Sequence, residues 1–332
     1  MGKTAFSFFV IVLSLASGYA FNRAVGRGLV AVDADAAERL RSGMQRVALL
    51  LVNPIAFCGA IWVLDLSERR FLALPFIGIA ALAVGLALGL AGARALRLPP
   101  DRAGVYATCA SFTNIGNIGG LVVFMLLGEA AFALIPFYKL LEELWYYSVL
   151  FPFARSCGER AHPAPAPADS GASTFAGLLR VVRDPFLIVA LSSITLGLAL
   201  NLTGVKRPSF YAHLNSFLVP FSSFLLLFAI GMRMRFRIAR DDWRAACLLV
   251  IGKALLVPAA IVPLAYLAGL GSAANSLGSR VVLVLASMPV GFLALVPPAL
   301  YRLDQDFAAS LWLASNGALA FIVPILAFLL PR

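Results

Sequence analysis

Apolar runs of about 20 residues follow one another along nearly all of this 332-residue chain. Each is long enough to cross the roughly 30 Å hydrocarbon layer of a bilayer as a helix. The runs are continuous and do not alternate with period two, which excludes a membrane β-barrel. With 61% hydrophobic and only 13% charged residues, the chain has too little polar surface for a soluble domain of this length. It reads as an all-α polytopic membrane protein. The net charge of +11 raises the question of nucleic acid. The basic residues, however, lie in short loops beside apolar runs and form no aromatic-interleaved patch, so a membrane surface is the expected partner and nucleic acid is not. Cys58, Cys109, Cys157 and Cys247 are isolated from one another in sequence. They read as small core hydrophobes, with no metal site and no cofactor implied.

Ten spans are predicted, at 4–21, 44–64, 71–92, 102–127, 131–153, 178–200, 211–232, 243–269, 280–301 and 307–330. Lys3 followed by an apolar core and the ending "SGYA" also has the form of a cleavable signal peptide, but span 1 is kept as a helix because the repeat described next needs it. The Pro/Ala-rich stretch 157–173 cannot bury a core and reads as a linker between a first five-helix repeat, 1–156, and a second, 174–332. Loops after the odd-numbered spans carry eighteen basic residues against seven on the opposite face. This places the linker in the cytoplasm and both termini outside the cell membrane. Five spans per half with that bias kept throughout require the halves to insert in opposite directions, the inverted-repeat arrangement of many secondary transporters. The "NLT" at 201–203 matches a glycosylation sequon, but it abuts the membrane and reads as chance.

Span 4 contains "SFTNIGNIGG" and span 9 contains "ASMPVGFLALVPP". Interior glycine costs a helix about 1 kcal/mol relative to alanine, and proline removes a donor and clashes with the preceding turn. Both spans are therefore expected to break at corresponding depths. Broken backbone at membrane depth is tolerated only where protein, water or substrate satisfies it. Two broken helices crossing at the midplane present half-helix N-termini suited to an anion. The expected substrate-binding residues are Asn114, Gly116, Asn117 and Gly119 in span 4, with Ser287, Pro289 and Gly291 in span 9. The competing reading of the glycines is a packing seam of small residues.

Asn114, Gly116 and Gly119 match the N-x-G-x-x-G element of the fourth helix in the auxin efflux carrier family, which includes plant PIN-type carriers and bacterial malate or malonate permeases. "DPFLIVALSSITLGLAL", "LVPFSSFLLLFAIGMRM" and "ASMPVGFLALVPPALYRLDQDFAASLWL" also resemble that family. The resemblance implies ten helices in two inverted repeats with helices 4 and 9 crossed, a scaffold of spans 1, 2, 6 and 7, and a moving core of the rest. It implies secondary transport of small organic anions, auxin-like carboxylates or dicarboxylates such as malate. Leu121 stands where the family often has proline.

The ionisable residues inside spans are Lys139, Glu142, Glu143 and Lys253. Each is expensive there and is a functional candidate by default. Lys139 and Glu143, one turn apart, are expected to pair, with Glu142 facing elsewhere as the proton-coupling candidate, its one partner of helical spacing being Lys139 three residues before it. Glu142, Glu143 and Lys253 thus form a coupling or counter-charge set. The only histidines, His162 and His213, lie outside the span interiors, and no aspartate pair is buried, so enzyme chemistry is not expected. The alternative is a transporter of the bile-acid/sodium symporter type. The expected partners are an organic anion, protons and the lipid bilayer, and the reading leaves room for a homodimer.

Overall fold

The computed structural model describes residues 3–30, 32–65, 69–162, 185–232, 240–271 and 277–330. Among these every regular element is helical. Six helical stretches are long and apolar enough to cross a membrane: Phe9–Gly26, Asp35–Trp62, Arg70–Ala95, Phe210–Gly231, Trp243–Leu267 and Gln305–Leu329. Ile115–Leu127, Leu191–Leu202 and Leu277–Ala286 are apolar but shorter. This is a multi-pass membrane protein.

In chain order the helices are α1 (Lys3–Gly26), α2 (Ala34–Val47), α3 (Asn53–Trp62), α4 (Leu74–Ala95), α5 (Pro100–Ser111), α6 (Gly120–Leu127), α7 (Glu129–Phe132), α8 (Ile135–Tyr138), α9 (Glu142–Trp145) and α10 (Phe151–Ala161). After them come α11 (Pro185–Leu202), α12 (Phe210–Gly231), α13 (Trp243–Ile251), α14 (Val257–Leu267), α15 (Leu277–Ala286), α16 (Val296–Leu300), α17 (Gln305–Gly317) and α18 (Leu319–Leu329). The expected single helix over 131–153 is instead a chain of short pieces, α7 to α10. The expected linker also starts later, because α10 carries helix through Ala161; the linker's remainder from residue 163 lies outside the described residues.

Four stretches among the described residues are π-helical; Ile115–Gly119 opens the helix after Asn114, and the other three, Ala48–Val52, Tyr146–Leu150 and Gly252–Leu256, lie within longer helices. Each of these three ends two residues before a proline: Pro54, Pro152 and Pro258. The cause is local. Proline offers no amide to the helix ladder and its ring crowds the carbonyl one turn back, and an extra residue in the preceding turn relieves both.

The helices pack as two groups. The first is α1, α2, α3, α11 and α12; α1 lies against α12, and α3 against α11. A Cβ on Gly18 would run into the Phe228 carbonyl and one on Gly231 into that of Leu15, so α1 and α12 touch backbone to backbone. The second group holds the remaining helices around α4 and α5, which meet closely at Gly85 and Gly89. Contacts between the groups run mainly through α6, α7 and the turn before α6. Asn201 Nδ2 donates to the carbonyls of Ile61, Trp62 and Leu64, so this amide caps α3 and the sequon match has a packing explanation.

Candidate functional site

The two predicted breaks are present, and they meet. Phe112 leaves the helical conformation at φ −58°, ψ 125°. Asn114 restarts the helix, accepting the Ile118 amide on Oδ1 at 3.2 Å. In the second break α15 ends before Pro289, as expected for residues preceding proline, and helix resumes at Phe292. Thr113 and Val290 face one another in an antiparallel bridge. The Asn114 amide donates to the Pro289 carbonyl at 2.9 Å, and the Gly291 amide to the Phe112 carbonyl at 3.3 Å. Groups that each broken helix would leave unpaired in hydrocarbon thus pair with each other.

The two bridge residues are served alike from either side. The Thr113 amide donates to the Tyr146 hydroxyl at 3.4 Å, and the Val290 amide to Ser315 Oγ at 3.0 Å. The Val290 carbonyl receives Asn316 Nδ2 at 3.2 Å, and the Thr113 carbonyl oxygen lies 3.5 Å from the Tyr146 hydroxyl oxygen. Sequence reasoning passed over Tyr146, Ser315 and Asn316. Ser315 and Asn316 were visible as a polar pair in an apolar run, whereas nothing in sequence separated Tyr146 from other aromatics.

Lys253 sits on the π turn before Pro258, fully packed. Its ammonium donates to the Ala110 carbonyl at 3.0 Å, the Phe112 carbonyl at 3.0 Å and Thr113 Oγ1 at 2.9 Å. An ammonium has three donors, so all are spent. Two of the acceptors are carbonyls at the C-terminal end of α5, where a cation complements the helix dipole, and the third is the Thr113 hydroxyl just beyond it. Replacing Lys253 with methionine should therefore destabilise the protein by about 1 to 2 kcal/mol: the Phe112 carbonyl keeps the Gly291 amide, while the Ala110 carbonyl loses its ammonium donor, and an orphaned buried acceptor costs about 1 kcal/mol or more. Thermal unfolding in detergent checks this. Weakened anion affinity with unchanged unfolding would make Lys253 a ligand instead.

Lys139 is 34% exposed and pairs with Glu142 at 3.6 Å. This corrects the expected Lys139–Glu143 pair. The helix is interrupted between Tyr138 and Glu142, so the one-turn spacing of a regular helix does not apply. Glu142, 7% exposed, also accepts from the Tyr146 hydroxyl at 2.5 Å. Tyr146 gives its one hydroxyl proton to this carboxylate and accepts the Thr113 amide, so it links the carboxylate to the crossing. Glu143 is half-buried beside it.

The remaining candidates differ in what surrounds them. A Cβ on Gly291 would lie 3.0 Å from the Thr113 carbonyl oxygen, and one on Gly119 2.9 Å from Leu285 Cδ2. At Gly116 the nearest atom would be Lys139 Nζ at 3.5 Å, which leaves room. Asn114 is buried and its Nδ2 has no partner among the described residues. Asn117 is half-buried and its carbonyl receives Ser223 Oγ of α12 at 3.5 Å. The Ser287 hydroxyl donates to the Leu283 carbonyl at 2.8 Å, so its one donor is spent on α15. A cavity of about 460 Å³ lies between the C-terminal ends of α1 and α12 and the start of α17, lined by Asn22, Met232, Phe292, Gln305, Asp306 and Trp312 among others. Its volume is that of small-molecule sites, and Phe292 directly follows Gly291.

Comparison with known families finds one model, described as membrane transport protein, that matches residues 39–328. No curated protein matches the chain.

Proposed function

Because the chain belongs to the auxin efflux carrier family of membrane transport proteins, we propose that it is a secondary transporter of small organic anions, auxin-like carboxylates or dicarboxylates such as malate. The observation that carries this is the mutual pairing of the two broken helices. A crossing of that kind offers the N-terminal amides of the stretch Ile115–Leu127 to an anion at membrane depth. Asn114, Gly116, Asn117 and Gly119 on one side, with Ser287, Pro289 and Gly291 on the other, are the proposed substrate site. The cavity beside Phe292 is its approach from one end of the bundle.

On this reading the fold is ten spans in two inverted repeats. Support comes from the matched treatment of Thr113 and Val290, each taken up by a hydroxyl from the last span of its own half. The first helix group is the scaffold and the second moves against it, giving access to the crossing from alternate sides. Glu142 and Glu143 are the proposed proton-coupling pair, and Lys253 the counter-charge to the end of α5. On the same reading both termini lie outside the cell membrane, which the basic-residue asymmetry supports.

The test is uptake by proteoliposomes of radiolabelled malate, malonate and indole-acetate, with and without a pH gradient. Saturable uptake of at least one is expected. It should fall about tenfold in Asn114→Ala, which removes the cap and amide at the restart of the helix. No uptake of any carboxylate by correctly inserted protein would overturn the reading.

A further inference from the structure

At the end of the bundle away from the cavity, an ion pair joins the two helix groups. The guanidinium of Arg207, just before α12, grips the carboxylate of Glu129, the first residue of α7, through both of its terminal nitrogens, with Nη2 to Oε2 at 3.1 Å. Arg207 also donates to the Gly59 carbonyl on α3 at 2.7 Å. Asn215 Nδ2, on α12, donates to Glu129 Oε1 at 2.6 Å and to the Ala56 carbonyl at 3.1 Å. One carboxylate of the second group is thus held by two residues of the first. Arg207 and Glu129 are 11% and 21% exposed at the side chain, so the pair is shielded more than a surface salt bridge and its fork geometry is well defined. Gly128 takes a left-handed turn, φ 88°, which glycine adopts without strain and which swings Glu129 off the end of α6.

The other end is built differently. Glu129 stands three residues before Phe132, and Asp304 likewise stands three before Phe307, in "EAAF" and "DQDF". Asp304 caps α17 through the Phe307 amide at 2.8 Å and pairs with Arg102 at 3.4 Å, both within the second group. Arg102 also pairs with Asp242 and lies over the Phe307 ring. So the acidic residue at the cavity end is turned inward on its own group, and the one at the far end reaches across. The cavity residue Ile230 is 15 residues beyond Asn215 on α12, about 22 Å along the helix.

We propose that Glu129, Arg207 and Asn215 form the latch that closes the far end of the transport path, and that this state, latched there, is the one open at the cavity. The proposal rests on the two groups moving past one another, as argued for the function. Opening the far end separates Glu129 from Arg207. Asn215 Oδ1, buried and without a donor among the described residues, then offers an acceptor to the released guanidinium.

The test needs no cargo. In purified protein, Ala309→Cys places a thiol on the cavity wall, and its rate of modification by a charged thiol reagent, measured above the background of the native cysteines, reports how often the cavity is open. Glu129→Gln in that background should slow modification at least about threefold by moving the population toward the far-open state. Asn215→Ala, which leaves the ion pair in place, should slow it by a smaller factor. Glu129→Asp, which keeps the charge that Arg207 and Asn215 hold, should slow it less than Glu129→Gln does. An unchanged or faster rate in both Glu129→Gln and Asn215→Ala overturns the latch. Since no substrate is present, that result leaves the organic-anion reading standing, and failed anion uptake with slowed modification does the reverse.

Discussion

Replacing Gly291 with valine is expected to reduce transport about 10- to 100-fold while leaving membrane insertion intact. Gly291 adopts φ −68°, ψ 151°, a conformation open to any residue. Conformational freedom is thus not the reason for glycine here. The reason is space: a Cβ would sit 3.0 Å from the Thr113 carbonyl oxygen and 3.2 Å from its carbon. These are backbone atoms that yield only if the bridge opens. Overpacking of this kind costs about 1 to 3 kcal/mol. If that distortion is charged to the step in which the crossing rearranges, about 1.4 kcal/mol is a factor of ten in rate. Gly317→Ala, on α17, is the control, because among the described residues no atom lies within 4 Å of its added methyl; its loss should stay within a few-fold. Wild-type transport by Gly291→Val would sever the crossing from function.

The second large effect is expected from Glu142→Gln. Glutamine keeps the size of the side chain and accepts from the Tyr146 hydroxyl, which lies 2.5 Å from the carboxylate, but it neither binds nor releases a proton near neutral pH. If Glu142 carries the coupled proton, accumulation driven by a pH gradient falls more than about tenfold, toward the level without a gradient, while exchange of labelled for unlabelled substrate persists. Lys139 and Tyr146 both touch this carboxylate, so the charge lost in the variant is one that two neighbours sense. Tyr146→Phe should weaken coupling in the same direction, because it removes the hydroxyl between Glu142 and the Thr113 backbone. Unchanged pH dependence in both Glu142→Gln and Glu143→Gln would leave a potential-driven or passive anion carrier as the better account.

Several features of the site were legible in the residues because their causes are local. Proline at 289 and glycines at 116, 119 and 120 weaken a helix wherever they stand, so the breaks in spans 4 and 9 appear in the string of letters before any packing is known. The irregularity over 129–161 was less legible. Its apolar run satisfies a hydropathy reading, yet the chain passes through four short helices and a π turn there. Pro152 was the clue, and its effect appears in the turn before it. Lys139 pairs with Glu142 at i,i+3 and not with Glu143 at i,i+4; spacing offered both, and the break between Tyr138 and Glu142 decided between them.

What the sequence determined by itself is what depends on transfer from water and on single-residue geometry. The length and apolarity of the runs made a multi-pass helical membrane protein, and proline and glycine set where helices stop. Tertiary structure alone decided which freed backbone groups meet. The pairing of Thr113 with Val290 joins residues 177 positions apart. The reach of Lys253 to three acceptors around α5, and the grip of Arg207 and Asn215 on Glu129, span 140, 78 and 86 positions. Such contacts arise because hydrocarbon leaves a polar group no solvent partner, so each must find one wherever the packed helices bring it. That requirement is written in every residue, while the partner that meets it exists only once the bundle has formed.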